Sequence, residues 1–277
     1  MKLQARSVCL EFKRVPVVMG IVNLSADSFS GDGSADVSAA LEKALRLIAD
    51  GAEIIDVGAE SARTNRQAIS EQEEADRLCA FVAAWGQSNA GAMLSINTWR
   101  PAVARVVLCE GGDLLNDIGG LPTDENARLC AQFGAALVIM HTVGEPKIPH
   151  THVQYPDVME GLESFFEEKI TLAEAAGLPR ESIVIDPGID FAKQRDDNLT
   201  IYRELARLQR FKRPILLPVS RKTVIGDVLG LPPEKRDAGT VACSVAGLRR
   251  GASILRVHNV RAAVQAVRVV AAVENAG

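Results

Sequence analysis

Asn23, Asp56, Asn97, Asn116, Met140, Asp186, Lys222, Arg256 and His258 share one placement: each closes, or closely follows, a short apolar run. Runs of that length suit strands buried on both faces. The side chains divide into two chemistries. Asn97, Asn116 and Asp186 offer amides and a carboxylate. A carboxylate grips the edge of a flat, guanidine-like heterocycle by accepting two N–H donors side by side. Arg256 and His258 offer donors to an anion. Asn23 can join them through a magnesium ion, which keeps most of its waters and needs few protein oxygens. Singly, each residue has a plain alternative. Asp56 can cap a loop, Asn116 can bond its own backbone, Lys222 can be a surface lysine beside Arg221, and His258 a structural hydrogen-bonder. Jointly, they place polar groups at the same end of nearly every apolar run, where chance would divide them between both ends.

The elements that must position them alternate along the chain. Residues 17–22 predict a strand ending at Asn23, followed by a polar loop with Phe29 among Ser, Asp and Gly. That ring is either a loop anchor or part of a lid. Val37, Ala40, Leu41, Ala44, Leu45 and Ile48 recur at helical spacing within 36–50, and Gly51 is a natural stop. Ile54–Gly58 predicts a second strand. Ser70 reads as an N-cap, with Glu73 completing a capping box, for a helix to about Gly86. Further strands are predicted at 93–96, 114–115, 136–140, 183–185, 215–219 and 254–257. Helices start at Pro101, in the first turn where proline is tolerated, and at Asp124. Others end near Ala176 or cover 197–210, 237–250 and 260–273. Residues 3–12 form a small hairpin or cap. Eight strands alternating with eight helices imply a parallel sheet. Eight such units without a composition break predict an α/β fold, a closed (β/α)8 TIM barrel, as a single domain over residues 1–277. The rival is an open doubly wound sheet, weakened because no Gly-x-Gly-x-x-Gly follows the first strand. In the barrel, the C-terminal strand ends converge on one mouth.

Composition narrows the partners. The 277 residues are 47% hydrophobic and 24% charged, an ordinary globular balance. A net charge of −4 lacks the basic footprint of a nucleic-acid binder, and the arginines between 203 and 213 read as the wet face of a helix. Cys9, Cys79, Cys109, Cys130 and Cys243 are odd in number and form no CxxC pair, which argues against a zinc site or disulfide framework. Buried free thiols in a reducing cytoplasm are the expectation. The first residues, MKLQARSVCLEFKR, lack an apolar signal core, and no window approaches a membrane span. Aromatics make up only 4%, so the core must be built from Val, Ile, Leu and Ala.

Six strings, GIVNLSADSFSGDG, IIDVGAESAR, LLNDIGG, IDPG, VSRKTVIG and RVHNV, stand in this order at the predicted strand ends. Together they resemble the dihydropteroate synthases, a pterin-binding barrel family, along essentially the whole chain. The resemblance implies a folate-pathway transferase: dihydropterin pyrophosphate loses pyrophosphate, and the amine of para-aminobenzoate attacks the methylene carbon. It assigns Asn116 and Asp186 to the pterin ring, with Met140 packed nearby, Lys222 at its edge and Asn97 beside it. It assigns Asn23, Arg256 and His258 to pyrophosphate and its Mg2+. The loops bearing Phe29 and Arg63 would close over the site and, with Phe191, Ser220 and Lys222, shape the aminobenzoate pocket. It also implies a homodimer. Three places depart from the family pattern. Asn97 stands where the third strand normally ends in aspartate. Ser61-Ala62-Arg63-Thr64-Asn65 replaces Ser-Thr-Arg-Pro-Gly. Ile189-Asp190-Phe191-Ala192 replaces Phe-Gly-Phe-Gly, which puts the Asp190 charge near a carboxylated substrate. A working synthase and a pterin-binding paralogue with lost or altered activity both fit these departures.

Overall fold

The computed structural model describes residues 1–12, 16–24, 33–60, 68–148, 150 and 152–275, with 33–36 and 275 described by backbone alone. The first two strands, β1 (Lys2–Ala5) and β2 (Val8–Glu11), pair antiparallel as a hairpin. The other eight strands are β3 (Val17–Asn23), β4 (Ile54–Gly58), β5 (Met93–Asn97), β6 (Leu114–Asp117), β7 (Ala136–Met140), β8 (Ile183–Asp186), β9 (Leu216–Pro218) and β10 (Ile254–Val257). They form one parallel sheet in the order β8-β7-β6-β5-β4-β3-β10-β9. A parallel bridge between Ile185 and Ile215 joins its two edges, so the ring closes and the open-sheet alternative falls. The helices that follow the strands are α1 (Gly33–Ala49), α2 (Glu71–Ser88), α3 (Pro101–Glu110), α4 (Glu125–Phe133), α5 (Val158–Ala175), α6 (Arg195–Glu204), α7 (Thr223–Leu229), α8 (Asp237–Leu248) and α9 (Val260–Asn275).

Strand alternation sorts the side chains into two cores. Ile55, Leu94, Leu115, Leu137, Ile185, Leu217 and Leu255 face the helices and join one large cluster. Val17, Met19, Ile54, Met93, Leu114, Val184, Leu216 and Ile254 face inward and join a second. Leu3, Ala5 and Phe12 belong to that inner cluster, so the hairpin plugs the N-terminal end of the barrel. Arg6 fastens the plug, its N–H donating to the Gly134 carbonyl (2.6 Å) and its Nε to the Gly112 carbonyl (2.9 Å). One step further along five of the inward rows, at Asp56, Ser95, Asn116, Asp186 and Arg256, the residue types change from apolar to polar. That change marks the opposite end as the site.

Several local expectations are corrected. Ser70 does cap α2, accepting from the Glu73 N–H at 3.1 Å, but the Glu73 carboxylate pairs with Arg77 instead of returning to close the box. Arg213 is buried, not on a wet face: its guanidinium donates to the carbonyls of Ile183 (3.1 Å) and Lys2 (3.0 Å). All five cysteines are free, but Cys130 alone among them is buried, and Cys9 and Cys109 are exposed. The short helix α7 has no counterpart in the periodicity, for a reason given below.

Candidate active site

Asp56 is the hub of one half of the mouth. It is fully buried on β4, two residues above Ile54 and on the same inward face. Its Oδ1 accepts from Ser95 Oγ at 2.6 Å, and the neighbouring register places Ser95 directly beside it on β5. The Asn116 side-chain amide donates to both carboxylate oxygens at 3.2 Å. Arg256 Nε donates to Oδ2 at 2.7 Å, and a second guanidinium nitrogen lies equally close. Three inward residues from three other strands thus close on one carboxylate, and a buried charge so surrounded is satisfied. Asn116 therefore makes no Asx-turn. Its Oδ1 stays buried and without a partner among the described residues, an acceptor that a ligand N–H would satisfy. Asn97 pairs in register with Asn116 and with Gly58, and Gly58 with Asn23, so these strand ends form one row. Asp117 shows the converse. It follows Asn116, faces outward, and takes an N–H from the Asn126 side chain of α4 (2.9 Å), away from the mouth.

The other half is built on Asp186. This carboxylate is 3% exposed at the inward end of β8, next to Met140 in register. Its Oδ1 accepts the Gly188 N–H at 2.7 Å. Burial raises its pKa to about 6, opposed by that hydrogen bond and by the charges of Lys222, Arg256 and Lys193. Two of these charges, Lys222 and Arg256, belong to residues named from sequence, and both lie within electrostatic reach of Asp186. Gly188 has φ +67, and a Cβ there would run into the His141 carbonyl, so only glycine lets the chain pass. Lys222 Nζ donates to the Ile189 carbonyl at 2.8 Å and sits 4.6 Å from the centre of the Phe191 ring, a cation–π contact. Burial lowers the Lys222 pKa, against the pull of Asp190 and Asp186.

Asp190 corrects the sequence reading. Its carboxylate does not wait for a substrate. Oδ2 accepts from the Thr223 N–H and Oδ1 from Val224 N–H (3.3 Å), the first amides of α7. Asn198 holds the same side chain, donating to Oδ1 at 3.2 Å. Asp190 is thus an N-cap delivered from a different loop.

Ser220 and His258 meet at the mouth's rim. The His258 N–H donates to Ser220 Oγ at 3.1 Å, and Oγ lies 2.8 Å from Nδ1. With the hydroxyl proton directed to Nδ1, Nε2 carries the hydrogen and is left as a donor. His258 is exposed at this rim, and desolvation, then the cations Arg256, Arg221 and Lys43, lower its pKa to about 4, which favours the neutral ring. Asn23 is exposed at the end of β3. Among the described residues no cluster of three or more His, Cys, Asp or Glu side chains could hold a metal ion. Asn23 itself offers one amide oxygen, a ligand type that fits an Mg2+ whose other ligands are mostly water and phosphate oxygens. Phe29, Arg63, Ala62 and Thr64 lie outside the described residues. The sequence reading underrated Asp56 and missed Lys193 and His141. Lys193 carried no signal, being a lone lysine in a polar loop.

The pattern of a family described as "Pterin binding enzyme" matches residues 19–258. The chain is 36% identical over 273 residues to the dihydropteroate synthase of Escherichia coli K12, covering 98% of this chain and 96% of that protein. It is 38% identical over 275 residues to a folate synthesis bifunctional protein of Arabidopsis thaliana, covering 94% of this chain and 57% of the plant protein. A crystal structure of Xanthomonas albilineans dihydropteroate synthase with 4-aminobenzoic acid superposes with a TM-score of 0.91 at 34% identity, covering 100% of both chains. With a closed barrel, a polar mouth at the strand ends and relatives matched along their length, the chain belongs to the dihydropteroate synthase family of pterin-binding enzymes.

Proposed function

We propose that the chain condenses 6-hydroxymethyl-7,8-dihydropterin pyrophosphate with para-aminobenzoate, giving 7,8-dihydropteroate and pyrophosphate, through one barrel domain spanning residues 1–277. The observation that carries the reading is a buried, ionisable Asp186 at one inward strand end, together with an Asn116 amide oxygen that is buried and has no partner among the described residues at another. Asp186 accepts two N–H donors from the pterin edge and Asn116 Oδ1 a third. Met140 packs on the ring, Asn97 stands beside it, and Lys222 binds its rim. Arg256 and the Nε2–H of His258 hold the pyrophosphate. Asn23 would hold an Mg2+ through its side-chain oxygen, and the ion would supply charge neutralisation for the pyrophosphate. The C–O bond to pyrophosphate breaks with its electron pair leaving on oxygen, and the pterin ring delocalises the methylene cation. The aminobenzoate nitrogen then attacks that carbon and releases one proton. No protein nucleophile is needed. The residues stabilise separating charges and exclude water. Phe191, Ser220 and Lys222 contribute to the aminobenzoate pocket, to which the family resemblance also assigns Phe29 and Arg63, outside the described residues.

The same reading places the protein in a reducing cytoplasm, supported by five unbridged cysteines, and as a homodimer. Val269 and Val273, one turn apart on α9 and 63% and 65% exposed, are apolar side chains a second copy would cover. No nucleic acid takes part, and among the described residues no helix is long and apolar enough to cross a membrane. Rescue of growth in a cell deleted for its own synthase tests the reading. Pyrophosphate release with equimolar dihydropteroate is the expected biochemical result. Folded protein that binds the pterin and forms no product at high concentration overturns it in favour of a paralogue acting on another amine, which the uncharged Asn97 would favour.

A further inference from the structure

Lys193 is a buried charge of the mouth that the condensation does not use. It follows Asp186 on the same loop and reaches back to the end of β7. Its Nζ lies 2.8 Å from His141 Nδ1 and donates to the carbonyls of Phe191 (3.0 Å) and His141 (3.4 Å). Burial, and then the Lys193 charge, push the His141 pKa down to about 2, so the ring is neutral and Nδ1 accepts. Three ammonium hydrogens thus meet three acceptors, a saturated arrangement for lysine. The His141 ring is itself fixed, 4.7 Å from Phe165 of α5 and 5.9 Å from Tyr155. A lysine so placed is a rigid clamp, not a solvated side chain.

What it clamps is the segment 187–192, and both subsites hang on that segment. Gly188 donates to Asp186, Ile189 accepts from Lys222, Asp190 caps the helix that follows Lys222, and Phe191 lies against the Lys222 ammonium. Strand β8 holds one end of the segment, and Lys193 holds the other against His141.

We propose that Lys193 is a positioning residue for both substrates, setting the 187–192 segment against His141 so that Asp186, Phe191 and Lys222 face the cavity together. The inference rests on the condensation reading. The groups facing Nζ are Asp186 on β8, Asp190 on the loop, Asp197 on α6, Lys222 ahead of α7 and His141 after β7. Burial lowers the Lys193 pKa to about 7, opposed by the charges of Asp186, Asp197 and Asp190.

The test is Lys193→Met in the full chain, with Lys193→Gln beside it. Gln keeps an amide donor for the carbonyls, loses the charge, and stands in if the Met variant does not fold. KM for para-aminobenzoate rises roughly ten- to a hundredfold in Lys193→Met, as expected when reacting groups shift by about an ångström. The acid limb of the pH profile, set by Asp186, moves to higher pH in both variants, because the Lys193 charge favours the ionised carboxylate. Calorimetry with the pterin pyrophosphate reads the same limb without turnover. A folded variant with a lowered Tm but unchanged KM and an unmoved limb makes Lys193 merely structural and overturns the inference. Failure of the condensation reading is distinct: the unmodified chain then binds pterin and makes no dihydropteroate, while the calorimetric limb still reports on Lys193.

Discussion

The two halves of the mouth treat their carboxylates in opposite ways. On the side of β4, β5, β6 and β10, Asp56 is closed in by Ser95, Asn116 and Arg256 and has donors on both oxygens. On the side of β7, β8 and β9, Asp186 has the Gly188 N–H as its hydrogen-bond donor among the described residues, and burial pushes its pKa up to about 6. Both side chains face inward from neighbouring rungs of the same alternation. The difference teaches that placement at the mouth does not define a binding group. A saturated carboxylate holds the floor together, while one left short of donors is ready for a ligand that brings them.

The strongest way to break this comparison is at Asp56. Asp56→Ala leaves Arg256 and the Asn116 amide without their shared acceptor. The variant should lose about 3–5 kcal/mol of stability, the usual result of removing one partner from a buried ion pair, read by urea unfolding. A loss below about 1 kcal/mol, the range of exposed pairs, would deny Asp56 its structural role. Asp186→Asn should behave in the reverse sense. Its folded pKa lies above the ordinary value, so its ionised form destabilises the fold as pH rises from about 4 through about 6. The amide should raise Tm at pH 7 and weaken pterin binding by about a hundred- to a thousandfold, the loss of two charge-assisted hydrogen bonds. Two variants that both lower Tm by similar amounts would erase the distinction.

The distinction sharpens with Asn97→Asp, which adds a charge to the saturated half. If that charge steadies the methylene cation, kcat should rise about 30- to 1,000-fold, on the order of 2–4 kcal/mol. An unchanged kcat would show that the Asp186 half suffices. The smallest effect is expected at Asp190→Ala, which removes the cap of α7 and should cost about 1–2 kcal/mol. KM for para-aminobenzoate should rise with it, since Lys222 precedes that helix. Stability loss with an unchanged KM would separate the cap from the pocket.

Much of this was legible because strand alternation is local. Knowing that Ile54 faces in places Asp56 in, and the same step puts Asn116 in and Asp117 out. The eightfold repeat and the closing of the ring follow from the same rhythm. What was hidden is non-local. Helix α7 begins on a cap lent by Asp190, 33 positions earlier, and holds Gly226 with four β-branched residues among its seven, so no window of sequence announces it. The Asp190 charge reads as a substrate contact until Asn198 and the α7 amides are seen around it. Lys193 is one of many lysines until folding brings it to His141. Glu73 stands at capping-box spacing, yet Arg77, one turn on, offers it a better partner.

The central claim is that an ionised Asp186, short of donors in the free protein, accepts the pterin edge. Titration calorimetry of the unmodified chain with the pterin pyrophosphate across pH 5 to 8 tests it most directly. The account predicts affinity that falls as pH drops below about 6, with the fall abolished in Asp186→Asn. Affinity that stays level across that range, or a fall that survives in Asp186→Asn, would contradict it.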